Sequence, residues 1–208
     1  MELLLASNNA KKRAELEGLL APLGVAVRTP ADMGGLPEVE EDRPDFRGNA
    51  AKKARSAART TGRWSLADDS GLEVDRLGGA PGVQSARFAG AHGDDAANNA
   101  RLLRELEGVP AAERGARFVC ALALCAPDGE VVLECEGTAR GRILEAPRGD
   151  GDFGYDPLFL FSEPGFPQTG RGFAELSPAE KSAVSHRGRA LRELARRLPA
   201  IVPGVAQS

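Results

Sequence analysis

A chain of 208 residues and 21.8 kDa can bury a core without disulfides or a structural metal, which excludes a stapled miniprotein. With 42% hydrophobic and 27% charged residues, wholesale disorder is excluded as well. The 27 Lys+Arg against 30 Asp+Glu leave a formal net charge of -3, no field for a nucleic acid polymer or an anionic membrane, so a polyanion has to be met locally.

The opening MELLLASNNAKK offers only Glu2 to Ala6 before polar chain, too short for a signal-peptide core or a membrane span. Leu3 to Ala6 reads as a buried strand, and Leu16, Leu19, Leu20 and Leu23 then recur at helical spacing up to Gly24. Gly34 to Pro44 is acidic and punctuated by Pro and Gly, hence a loop. Phe46, Ala50, Ala54 and Ala57 mark one face of a second helix. Trp64 to Ala67 predicts a short strand, and Leu77 to Ala91 a Gly-rich loop that opens a second lobe. Asp94 or Asp95 caps a helix carrying Leu102, Leu103 and Leu106. Phe118 to Ala126 and Val131 to Cys135, joined by Pro127-Asp128-Gly129, predict a hairpin. Its stretches hold Cys120, Cys125 and Cys135, an odd number in apolar surroundings, which points to buried thiols and a cytoplasmic protein. Ile143 and Leu144 end a further strand, Leu158 to Phe161 form another, and Leu191, Leu194, Ala195 and Leu198 give a last helix before a frayed tail at 203–208. Intermixed helices and strands without repeats predict an α/β chain with a mixed sheet, one two-lobed domain over 1–208.

Four polar stretches stand out. Ser7-Asn8-Asn9-Ala10-Lys11-Lys12 lies where the first strand turns into the first helix, so free N–H groups and Lys12 can hold an anion; the same Ser7 or Asn9 can equally serve as a plain cap. Ala67-Asp68-Asp69-Ser70-Gly71 follows a strand, and Glu38, Glu40, Glu41 and Asp42 gather in the earlier loop. Adjacent carboxylates repel, and a divalent cation such as Mg²⁺ relieves this, although an Asp-rich turn closed by Gly71 fits too. Gly149, Gly151 and Gly154 match G-x-G-x-x-G, but the apolar Pro157 to Phe161 that follows reads as a strand, so a dinucleotide fingerprint is excluded. What remains presents Phe153 and Tyr155, with Asp156, for stacking a base or for filling a core. Finally, Ser177 and Glu180 form a capping box with Pro178 at the first helical position. Ser185 can cap the next helix, and Lys181, His186 and Arg187 fall near helix starts as donors or as solvated charges.

Cation and phosphate devices, an aromatic platform and polar donors in one chain describe a site for a nucleoside triphosphate. Their order resembles the inosine/xanthosine triphosphate pyrophosphatase family, HAM1-like. The likeness is carried by S-x-N-x-x-K-x-x-E (Ser7, Asn9, Lys12, Glu15), by Phe46, Asn49-Ala50 and Lys53-Ala54, and by ADDSGLEVDRLGGAPGVQSARFAG from Ala67. It continues through FGYDPLF from Phe153 and EKSAVSHRGRAL from Glu180, so it runs almost end to end. Asn8, where the family often has Gly or His, and Glu40 to Phe46, in place of E-E-T-G-x-T-F, depart from it.

The resemblance implies a homodimeric two-lobed α/β fold with a substrate cleft between the lobes. It also implies Mg²⁺-dependent conversion of deaminated purine triphosphates (ITP, dITP, XTP, dXTP) to monophosphate and pyrophosphate. By the same resemblance Ser7, Asn9 and Lys12 hold phosphate, Asp69 binds metal and serves as base with Asp68 beside it, and Ser70 touches substrate. Phe153, Gly154, Tyr155 and Asp156 frame the base, and Lys181, His186 and Arg187 complete its pocket. Glu40 is taken as the second metal ligand, with Glu41 and Glu38 as alternatives. Attack is expected at the α-phosphorus, and donors from His186, Arg187 or backbone are expected to read a 6-oxo group that adenine lacks. A Maf-like pyrophosphatase for other nucleotides and a non-catalytic nucleotide sensor are the rival functions. A single-stranded RNA binder is disfavoured by the charge.

Overall fold

Short apolar runs alternating with helical repeats produce, in the computed structural model, which describes residues 1–151 and 153–205, six strands and five α-helices among the described residues. β1 (Glu2–Leu5) leads into α1 (Ala10–Leu20), and a 3-10 turn over Ala21–Leu23 ends at Gly24, whose φ of 69° takes the left-handed conformation that a C-cap needs. β2 (Ala26–Arg28) follows, a strand of three residues with no sequence expectation. α2 (Phe46–Thr61) buries Phe46, Ala50, Ala54 and Ala57, the face that its 3.6-residue spacing marks out. α3 (Asp95–Glu105) is capped by Asp94, whose carboxylate accepts from Ala97 N–H at 2.9 Å.

β3 (Ser65–Val74) is ten residues long and runs through Asp68, Asp69 and Ser70. The expectation that the strand stops at Ala67 is therefore corrected, and the alternative of an Asp-rich turn closed by Gly71 falls with it. Asp is depleted in strands because its charge fits badly on a half-buried surface, and here each carboxylate has a cation from a helix. β4 (Gly115–Cys125) and β5 (Val131–Ile143) are the hairpin; β5 continues unbroken to Ile143, so the separate strand expected there is the same one. The expected loop from Leu77 to Ala91 contains a 3-10 turn over Gly82–Arg87. β6 (Phe159–Phe161), α4 (Pro178–Val184) and α5 (His186–Arg197) complete the set.

The sheet order is β2-β1-β3-β4-β5-β6, with β1 parallel to both β2 and β3 and β6 antiparallel to β5, which is the expected mixed α/β sheet. The chain divides into two compact units. The first is Met1–Asp69, Cys120–Glu136 and Ala190–Ser208, and the second is Ser70–Val119 and Gly137–Arg189. In the first, Leu3, Leu5, Leu16, Leu20, Leu122 and Leu194 form a core, each worth ~2 kcal/mol on burial. In the second, Leu72, Leu102, Phe118, Phe159 and Phe173 do the same. Of the expected tail, Val205 is 8% exposed and belongs to the first core, Pro203 and Gly204 are exposed, and 206–208 lie outside the described residues. Cys120, Cys125 and Cys135 are all buried.

Candidate active site

In the first unit, β1 delivers Ser7, Asn9 and Lys12 to the start of α1. Ser7 Oγ accepts from Asn9 N–H at 3.2 Å, and Asn9 Oδ1 accepts from Lys11 N–H at 3.0 Å and Lys12 N–H at 3.2 Å. Asn9 is thus the helix cap, and Lys12 is held on the first turn, where the helix carries partial positive charge. Lys12 Nζ lies 2.7 Å from Asp68 Oδ2.

Successive strand residues face opposite ways, so neighbouring Asp68 and Asp69 reach different helices. Asp69 Oδ1 lies 3.1 Å from Lys53 Nζ, and Asp69 Oδ2 accepts from Asn49 Nδ2 at 3.2 Å, both from α2. Lys53 also reaches Glu41 Oε1 at 2.7 Å. Asp68 and Asp69 are 6% and 8% exposed, so two carboxylates that would repel side by side are each buried against a cation of their own. Burial raises the Asp69 carboxyl above its ordinary value; Glu41 adds to this, and Lys53 and Asn49 offset it in part. Burial draws the Lys53 ammonium down, but Asp69 and Glu41 outweigh it and hold Lys53 above its ordinary value.

Glu40, expected beside Asp69, is exposed, and its backbone carbonyl accepts from Lys52 at 2.8 Å. The acid that the loop brings to the Asp69 pair is Glu41. Among the described residues no group of three or more His, Cys, Asp or Glu is placed to hold a metal ion by itself. A cavity of about 240 Å³ opens beside the α1 start, lined by Ser7, Asn8, Lys53 and Ser56 and by the loop residues Leu36 and Val39.

Asn49 and Lys53 carried no role in the sequence reading. Their signal was available: they sit one turn apart on α2, next to the buried Ala50 and Ala54, so a polar pair borders an alanine face that packs inward.

The second unit holds the other predicted residues. Arg187 Nη2 donates to Ser70 Oγ at 3.2 Å, which brings together two residues 117 positions apart. Lys181, in the last turn of α4, pairs with the buried Asp156, and its ammonium lies 5.3 Å from the Phe153 ring centroid. Phe153 is 38% exposed. Tyr155 does not present its ring: it is 5% exposed, and its hydroxyl donates to Ser85 C=O at 2.9 Å. Burial raises the Tyr155 phenol, with the Asp95 carboxylate adding to it. His186, 8% exposed, stacks on Phe118 with centroids 4.8 Å apart and planes 13° from parallel, so most of its ring is core. Ser185 Oγ accepts from Gly188 N–H at 3.1 Å, the expected cap of α5.

Residues 3–197 match the model of the Ham1 family. The dITP/XTP pyrophosphatase of Desulforamulus reducens is 52% identical over 193 residues, 93% of each chain. That of Geobacillus kaustophilus is 48% identical over 98% of this chain and 97% of its own. Among solved structures, the HAM1 protein from Coxiella burnetii superposes with a TM-score of 0.87 at 40% identity, covering 96% of this chain and 99% of its own. The nucleoside-triphosphatase, dITP/XTP pyrophosphatase, from Mycobacterium abscessus gives 0.77 at 48% identity, covering 93% and 97%. An almost end-to-end match in both sequence and fold leaves one conclusion: the chain belongs to the Ham1 family.

Proposed function

We propose that this chain hydrolyses deaminated purine nucleoside triphosphates, dITP, ITP and XTP among them, to the monophosphate and pyrophosphate. The observation that carries the proposal is the buried Asp68-Asp69 pair, each carboxylate held against a lysine from a different helix. An apolar-core strand has no structural need for two buried carboxylates, whereas a phosphate chain approaching such a group meets lysines to bind it and a carboxylate to handle a proton.

Mg²⁺ is the cofactor the donor chemistry suits. Mg²⁺ is commonly bound by one or two carboxylates together with substrate phosphates, and Asp69 and Glu41, linked through Lys53, are the two that would hold it. Bound there, it supplies charge neutralisation for the phosphate chain. The protein's own groups do the rest. Lys12 holds the phosphates from the first turn of α1, where the helix carries partial positive charge, and Lys53, which lines the cavity beside that start, is a second cation for them. Asp69 orients the attacking water and takes its proton. The water oxygen bonds to the α-phosphorus, the bond from that phosphorus to the bridging oxygen breaks, and the electron pair leaves with pyrophosphate.

In the second unit, Phe153 offers the stacking face, and Arg187 with Ser70 offers the donors for the purine edge. The same proposal takes the enzyme to be a cytoplasmic homodimer. Three buried cysteines suit a reducing compartment, and among the described residues no helix is long and apolar enough to cross a membrane. The test is kcat/KM across dITP, XTP, dATP and dGTP with Mg²⁺, and again in excess chelator. Preference for dITP and XTP, lost on chelation and restored by Mg²⁺, supports the proposal, and equal turnover of dATP overturns it.

A further inference from the structure

The stretch Phe153 to Asp156 is pinned residue by residue, and two of the pins come from side chains with no assigned role. Asp95 Oδ2 accepts from Gly154 N–H at 2.8 Å, and Asn99 Nδ2 donates to Gly154 C=O, also at 2.8 Å. Both polar backbone groups of one glycine are thus taken by two side chains one turn apart on α3. Asp95 is not needed to cap that helix, because Asp94 already does so; its carboxylate instead reaches a residue 59 positions away. Gly154 has φ +55°, the left-handed region, and no atom lies within 4 Å of where a Cβ would stand. Glycine is therefore required there for its backbone conformation and not for space. Tyr155 is fixed through its hydroxyl to Ser85 and Asp156 through Lys181, so 154–156 are held from α3, from the 3-10 turn and from α4. Phe153, at the head of this frame, stays 38% exposed.

We propose that Asp95 and Asn99 are positioning residues, a clamp on the Gly154 peptide that sets the Phe153 ring as the platform for the purine; this rests on the proposed pyrophosphatase activity. A ring carried on fixed backbone gives up little freedom when a base stacks on it, so the clamp acts on base binding. A hydrogen bond to a charged acceptor is the stronger of the two, which makes Asp95 the larger contributor.

The experiment measures kcat and KM for dITP, and the inhibition constant of inorganic tripolyphosphate, which carries phosphates and no base, on the full chain with Mg²⁺. For Asp95→Ala and Asn99→Ala, KM for dITP rises on the order of tenfold while tripolyphosphate inhibition and kcat stay near the unmutated values. Asp95→Asn, whose amide oxygen can still accept from Gly154 N–H, recovers most of the loss. Unchanged tripolyphosphate inhibition also reports that the variants are folded. An unmoved KM in both alanine variants overturns the clamp, as does a parallel change in KM and tripolyphosphate inhibition, which marks a merely structural role. A wild-type chain inert towards dITP and XTP is a distinguishable result: it overturns the proposed activity, and the platform role falls with it.

Discussion

The Lys53 ammonium lies 3.1 Å from the Asp69 carboxylate and is the principal charge opposing the burial of that group. One residue of α2 therefore offsets part of the burial of the proposed base and also lines the cavity beside the α1 start.

Lys53→Met removes that cation and leaves Asp69 buried beside Glu41. The Asp69 pKa, already raised, rises further, so a larger fraction is protonated at mildly acidic pH and the acid limb of the pH–rate profile moves to higher pH. Activity is expected to fall more towards the acid end of the profile than towards the alkaline end. The check is kcat against pH for both proteins; an unshifted limb would separate Lys53 from the base.

Lys12→Ala takes a charge from the phosphate half and removes the Lys12–Asp68 ion pair, while the residues assigned to the base are untouched. Efficiency with dITP and dGTP is expected to drop by similar factors, each about 1 to 3 kcal/mol. Measured kcat/KM ratios between the two nucleotides should stay constant, and a changed ratio with unchanged overall efficiency would reassign Lys12.

Base choice divides three variants. Arg187→Ala is expected to reduce kcat/KM for dITP more than for dATP, since only the 6-oxo purine uses a donor there. Phe153→Ala should harm both, by roughly 1 to 3 kcal/mol, because stacking ignores the exocyclic group. His186→Ala removes a ring stacked on Phe118 and is expected to destabilise the fold by ~2 kcal/mol as well, visible as a lower Tm. Equal losses for both nucleotides in all three variants would move the 6-oxo readout to backbone groups.

The capping box at the start of the α4 helix, which carries Lys181 in its last turn, is pH-sensitive. The Arg171 guanidinium, followed by the Ser177 backbone N–H, holds the Glu180 carboxyl down at about 2 from an ordinary 4.5. A depressed carboxyl stabilises the fold above its unfolded value and loses that contribution as pH falls through the interval from 4.5 to about 2. Glu180→Ala should therefore lower Tm at pH 7, with the difference shrinking to nothing near pH 2. A constant difference across the range would show that charge is not what Glu180 supplies.

The elements with a strong period were legible: the Ala face of α2, the hairpin turn at Pro127-Asp128-Gly129, and the Ser177-Glu180 cap each follow from local rules that the packing obeys. β3 was legible only to Ala67. Beyond it the strand is sustained by Lys12, Asn49 and Lys53, partners 16 to 56 residues away that no local pattern reports. The same limit applies to the site. Asp69 stands out in sequence as half of an acidic pair, but Glu41 over Glu40 is decided by which side chain meets Lys53. Tyr155 and His186 look like Phe153 in composition and differ in burial, which depends on Ser85 and Phe118.

Turnover of dITP in ¹⁸O-labelled water, with the label located by mass spectrometry, tests the central claim most directly. Attack on the α-phosphorus by a water that Asp69 orients places the label in dIMP and leaves pyrophosphate unlabelled, and Asp69→Asn should cut the rate by at least ~10²-fold. Label in pyrophosphate, or release of labelled orthophosphate with dIDP, would contradict it.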